Sequence, residues 1–117
     1  MRAKATLIAV ALGVAIAPAA QAHHGWSSYD AAQVIDISVT LTDLTWASPH
    51  GTAKISYKGK IWDVVLAPVA RMETRGLTRE MVGPGKTVRL VGYPKADGTP
   101  EIRVERVIVD GKTIELR

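Results

Sequence analysis

The most constraining feature of this chain is a stretch whose alternation of apolar and polar residues changes phase midway. Ile35, Ile37, Val39 and Leu41 alternate with Asp36, Ser38, Thr40 and Thr42, the period-two pattern of a strand with one buried face. After Asp43 the parity reverses, and Leu44 and Trp46 become the large residues. A shift of one residue sends every following side chain to the other face. A reversal inside one strand therefore predicts a β-bulge or a sharp bend. Long, bent first strands are a device of small barrels, where curvature has to be built in.

The rest of the chain fits that architecture. Ala47-Ser48-Pro49 breaks the first strand, because Pro49 lacks an N–H and restricts Ser48. Ala53, Ile55 and Tyr57 alternate with Thr52, Lys54 and Ser56 in a second strand. Lys58-Gly59 is a two-residue hairpin turn, and Lys60 to Leu66 is a third strand with Trp62, Val64 and Leu66 on one face. Burial in the core is the expected role of Trp62. Pro68 suits a first helical turn, Val69 and Met72 follow at helical spacing, and Gly76 supplies a left-handed cap. Thr78 caps a second short turn through Met81, and Gly83-Pro84-Gly85 makes a tight turn. Lys86 to Tyr93 and Glu101 to Val109 are the fourth and fifth strands, joined by the loop Ala96-Asp97-Gly98-Thr99-Pro100. Asp110-Gly111 is a turn before a short apolar tail with Ile114 and Leu116.

Three strands, a short helical connection and two more strands give the order of a five-stranded oligonucleotide/oligosaccharide-binding (OB) barrel. The expected class is all-β with a short helical connection, an OB-like barrel over residues 34–117. An immunoglobulin-like sandwich wants about seven strands and no helix.

Residues 1–22 carry the marks of an export signal. Arg2 and Lys4 precede an apolar run from Ala5 to Ala17, and Pro18 stands before the small-x-small triplet Ala20-Gln21-Ala22. The run is shorter than the roughly 20 residues that span a bilayer, so no stable membrane anchor is expected after removal. Cleavage after Ala22 would leave an arm over residues 23–33 ahead of the barrel, in a periplasmic or secreted protein. Of the 15 basic residues, Arg2 and Lys4 lie in the leader, so the remainder exceeds the 11 acidic residues by only two. That small excess gives little attraction for phosphate, and no nucleic-acid partner is expected. The absence of Cys excludes a disulfide framework, a thiolate metal site and a thiol nucleophile.

What chemistry the chain offers lies in its three histidines, His23 and His24 at the leader boundary and His50 in Trp46-Ala47-Ser48-Pro49-His50. An N-terminal His23 presents an amine and an imidazole to one ion, and His24 or His50 would complete a three-nitrogen set. Such nitrogen-rich sets suit Cu(II) or Ni(II) when tetragonal and Zn when tetrahedral. Cleavage after Ala20 instead would make His23 the third residue, which also chelates Cu(II) or Ni(II), although Pro18 disfavours that cut. Opposing this is geometry, because the arm must fold back along a curved strand for His24 to meet His50. The plainer alternative is a solvated terminus and a His50 held within its turn. A different class of function is a binding module for a small periplasmic ligand or polymer, with Trp26, Trp46 and Tyr57 as its surface. An enzyme is not indicated, since G-x-S-x-G and H-E-x-x-H are both missing. Arg71, Arg75 and Arg79 form an exposed basic face, and the sequence leaves the oligomeric state open.

The chain also resembles a family of small exported bacterial proteins known only as a domain of unknown function. The resemblance rests on His23-His24-Gly25, on Trp46-Ala47-Ser48-Pro49-His50, on Pro68 with Arg75-Gly76-Leu77-Thr78-Arg79, and on Gly83-Pro84-Gly85-Lys86-Thr87-Val88. The order of these motifs covers the mature chain. Gly25, Ser48, Leu77 and Lys86 stand where the family pattern has Ser, Asn, Trp and Asp. The resemblance implies the fold and export, and it brings no activity with it.

Overall fold

A computed structural model describes residues 25–117, and His23 and His24 lie outside the described residues. The chain forms one mostly β sheet that curls on itself as a half-barrel, with a few short helices. In chain order the strands are β1 (Ile35–Thr40), β2 (Thr42–Thr45), β3 (Thr52–Tyr57) and β4 (Lys60–Val65), then β5 (Thr87–Pro94), β6 (Glu101–Val109) and β7 (Lys112–Glu115). Helices α1 (Val69–Thr74) and α2 (Arg79–Val82) fill the connection between β4 and β5.

The sheet runs β1-β5-β6-β4-β3-β2, with β7 attached to β6. All strand pairs are antiparallel except β4 with β6. Strands β1 and β2 sit at opposite ends of this order, yet only Leu41 separates them in sequence. The two ends of the sheet are thus held together by one residue of chain, which forces the curl.

The expected count of five strands is corrected to seven among the described residues. One extra strand arises because the first strand divides at Leu41. Asp43, where the hydrophobic parity reverses, takes a left-handed φ of 48°, and the β2–β3 register shifts between Thr42 and Thr45. The other is β7, expected only as an apolar tail. It forms because Asp110 and Gly111 both adopt positive φ, 51° and 73°, the turn that matches the twist of a two-residue hairpin. Lys58 and Gly59 close the β3–β4 hairpin in the same way, at 50° and 74°.

Alternation places the core inside the curl. Ala53, Ile55, Val64, Ile102, Val104 and Leu90 are buried, and Leu66, Met72, Leu77 and Val82 from the helical connection cap one end. Gly76, at φ 93°, turns the chain out of α1, and the Leu77 N–H donates to the Met72 carbonyl at 2.9 Å in a left-handed helix cap. Trp62 packs against this core and donates its indole N–H to the Tyr57 carbonyl at 3.1 Å. The basic face of α1 serves the fold directly. Arg71 donates to the Leu116 carbonyl at 3.0 Å, and Arg75 donates to those of Glu115 and Arg117. Exposed in position, these arginines hold down the chain that follows β7.

Candidate functional site

The outward faces of β3 and β4 carry Thr52 and Lys54, and Asp63 and Val65. Their inward neighbours Ala53 and Val64 are in the core, so alternation alone aims these four side chains away from it. Asp43 and Thr45 of β2 wall one side and Glu101 of β6 the other, making a cavity of about 510 Å³. Lys54 and Asp63 form an ion pair across it at 2.7 Å, with both side chains about half exposed. That hydrogen bond holds the Lys54 ammonium above its usual range. The cavity therefore combines carboxylate acceptors with hydroxyl and ammonium donors.

A second cavity, of about 350 Å³, lies where the arm meets the sheet. The arm is pinned rather than loose. Trp26–Ser28 form a single 3-10 turn, Tyr29 makes an antiparallel bridge with Lys95, and the Asp30 N–H donates to the Pro94 carbonyl at 2.8 Å. Trp26 meets the Tyr93 ring edge-on at 6.1 Å between centroids. The Arg103 and Arg117 guanidiniums lie 4.9 and 4.7 Å from the centre of the Trp26 ring, within cation–π range. Arg103, at 9% exposure, is the buried charged residue among those described.

The expected ligand surface is dispersed. Trp26 belongs to the arm cavity, while Tyr57 packs edge-on against Trp62 at 5.4 Å with the Lys58 ammonium over its ring. Trp46 packs against the core with its indole nitrogen buried. No ring contact joins Trp26, Trp46 and Tyr57 among the described residues. The strand alternation that predicted outward or inward faces could not show which strands lie side by side.

Of the histidines, His50 is described and half-buried. Tyr93 pairs with Arg103, Arg103 with Val65, and Val65 with Thr52. Trp26 sits against Tyr93 and Arg103, so the arm lies two strands from Thr52, about 10 Å at the usual strand spacing. Gly51 continues the ladder, donating to the Ala67 carbonyl and accepting from the Leu66 N–H. His50 stands just before this point, outside any strand, and follows the cis Ser48–Pro49 bond. His24 lies two residues before Trp26, at most about 8 Å of chain. Among the described residues no three His, Cys, Asp or Glu side chains converge on a metal position.

A family model matches residues 11–102, ending at the start of β6. The chain belongs to the family of unknown function DUF6152. No curated protein matches it. The DUF6152 match takes in all three histidines and the walls of the β3–β4 cavity, while Arg103 and Arg117 fall beyond it. No helix among the described residues of this DUF6152 chain is long and apolar enough to cross a membrane.

Proposed function

We propose that this DUF6152 chain is an exported OB-like binding module that takes a small hydroxyl-rich ligand on the outer face of β3 and β4. The observation that carries the reading is the cavity walled by Asp43, Thr45, Thr52, Lys54, Asp63 and Glu101. Carboxylates accept from ligand hydroxyls, and threonine and lysine donate, so the lining matches a saccharide or another polyol. The OB-like assignment is supported by the strand order and the parallel β4–β6 pair, once β1 and β2 are taken as one bent strand. Barrels of that class bind polymers across their second and third strands, which here are β3 and β4. The test is amide chemical-shift mapping of the mature protein with neutral trisaccharides. Shifts confined to Thr45, Thr52, Lys54 and Asp63, and weakened by Asp63→Ala, are expected. No perturbation by any member of the panel at about 10 mM, the weak end of small-ligand affinity, would sink this reading.

One observation favours a second reading, a copper site. Trp26 docks at the Arg103 end of the row Arg103, Val65 and Thr52, two residues of chain after His24, and in this reading export with cleavage after Ala22 gives His23 a free amine and imidazole that would join His50 as ligands. The His-His pair and the W-x-x-P-H motif, Trp46 to His50, would then be two halves of one Cu(II) site. Copper displaces the amine proton near neutrality, since the α-amine pKa is about 7.7–8.0. Intact mass of the exported protein followed by Cu(II) titration decides it. One ion per chain is expected, lost when a residue is added before His23. Absence of stoichiometric binding by correctly processed protein rejects it.

A further inference from the structure

The arm cavity has a chemistry unlike that of the β3–β4 groove, and the two meet at Glu101, which walls the groove and accepts from Tyr29. Its walls are the rings of Trp26, Tyr29 and Tyr93, with Ser27 and Arg117 at its border. The two tyrosine hydroxyls are turned to strand carboxylates: Tyr29 donates to Glu101 at 2.5 Å and Tyr93 to Glu105 at 2.8 Å. The tyrosines therefore face the cavity as apolar rings. Cationic groups surround the same place. Arg103 lies 4.9 Å from the Trp26 ring and 5.9 Å from that of Tyr29, Lys95 is 3.8 Å from Glu101, and Arg106 is 3.8 Å from Glu105. Arg117 stands over Trp26 at 4.7 Å with its side chain 54% exposed, paired at 3.6 Å with Glu105. Arg106 is also paired at 2.9 Å with Glu115, so these four cations stand among three carboxylates and leave a small excess of positive charge beside an aromatic wall.

We propose that this cavity is a binding site for a small carboxylate carried on a flat ring, with the ring against Trp26 and Tyr93 and the carboxylate on Arg117. A cation is disfavoured by the guanidiniums already present. A bare inorganic anion would leave the aromatic walls without a partner and would forgo the apolar burial they offer. A guanidinium recognises a carboxylate through two parallel N–H donors. Arg117 is exposed and free to swing from its ion pair with Glu105, so it is the group that a ligand recruits.

The test uses the purified full chain, with benzoate, benzyl alcohol and inorganic phosphate as probes, followed by calorimetry and by amide shifts around Trp26. Benzoate is expected to bind saturably in the sub-millimolar to millimolar range, as ligands of that size do. Benzyl alcohol and phosphate should each bind about tenfold more weakly or worse, because each lacks one half of the recognition. Arg117→Gln should weaken benzoate by about tenfold while leaving the thermal midpoint nearly unchanged, given its exposure. Benzyl alcohol binding as tightly as benzoate overturns the proposal without recourse to any variant. So does the absence of benzoate binding at about 10 mM, or an unchanged affinity in Arg117→Gln. Loss of saccharide shifts in the β3–β4 groove leaves these outcomes untouched, so the two sites fail separately.

Discussion

Tyr29 donates its phenolic hydrogen to Glu101 at 2.5 Å, joining the arm to a strand 72 residues further along the chain. The contact lies beside the Tyr29–Lys95 bridge and the hydrogen bond from the Lys95 N–H to the Glu101 carbonyl at 3.0 Å. A side chain and a backbone interaction therefore fix the same point of the arm, and the arm cavity depends on both.

Replacing Tyr29 by Phe is expected to destabilise the fold by about 1 kcal/mol at neutral pH, the net worth of one hydrogen bond. Alkaline pH should separate the two proteins further. Burial, followed by the hydrogen bond to Glu101, pushes the Tyr29 hydroxyl well above its ordinary pKa, and the bond to Glu105 raises Tyr93 in the same direction. The folded state thus keeps protons that the unfolded chain releases near pH 10. Stability from these groups is intact below that pH and is lost as pH rises toward the folded values. Urea unfolding at neutral and strongly alkaline pH should show a smaller alkaline loss in Tyr29→Phe, and an equal loss would refute the assignment.

Gly92 marks the register shift in the β5–β6 ladder, between Val91 and Gly92. A Cβ there would stand 2.2 Å from the Arg103 carbonyl oxygen and 3.0 Å from Ile102 Cγ2. The close neighbour is backbone and cannot swing aside. Gly92→Ala should cost about 3 kcal/mol, the upper range for overpacking, read from chemical denaturation. It should also weaken arm docking, because Arg103 stacks under Trp26.

Asp43 holds a φ of 48° at the bend between β1 and β2. Left-handed backbone costs a residue with a Cβ about 1–2 kcal/mol, least for Asn and Asp. Asp43→Gly should be neutral or slightly stabilising in thermal unfolding, whereas Asp43→Val should lose about 2 kcal/mol because of its β-branch. If Val were tolerated as well as Gly, the bend would not depend on this residue.

Asp36 and Arg89 form a diagonal pair across the β1–β5 ladder, where Asp36 lies opposite Val91 and Arg89 opposite Ser38, and two hydrogen bonds of 2.7 Å join them. Hydrogen bonding from Arg89 lowers the Asp36 carboxyl from its ordinary range. Its contribution is present above the unfolded pKa, near 4, and is lost as pH falls through the lower folded value. Asp36→Asn should remove part of the acid sensitivity measured by unfolding between about pH 5 and 2. The pair is exposed, so high salt should shrink the difference.

Much of the fold was legible because its signals are local. The parity reversal at Asp43, the hairpin at Lys58-Gly59, the cap at Gly76 and the fifth strand from Glu101 to Val109 all occur where the residues predicted them. Strand β7 was missed because Lys112 to Glu115 carries too little alternation to register before β6 supplies a partner. The arm's docking was missed for a related reason: Trp26 and Tyr29 show no period, and their partners Tyr93, Glu101 and Arg103 lie far along the chain. Nor could Arg71 and Arg75 be told from an ordinary exposed face, since their acceptors are backbone carbonyls near the other end of the domain.

By itself the sequence determined where strands begin, bend and turn, because alternation, Gly, Pro and Asp act through the conformation of a few neighbouring residues. Tertiary structure decided which outward faces became neighbours. Only the pairing of β4 with β6, and of β6 with β5, sets Trp26 on Arg103 and brings the arm within two strands of Thr52. Such contacts join residues tens of positions apart, and curling of the sheet, rather than any local preference, brings them within reach.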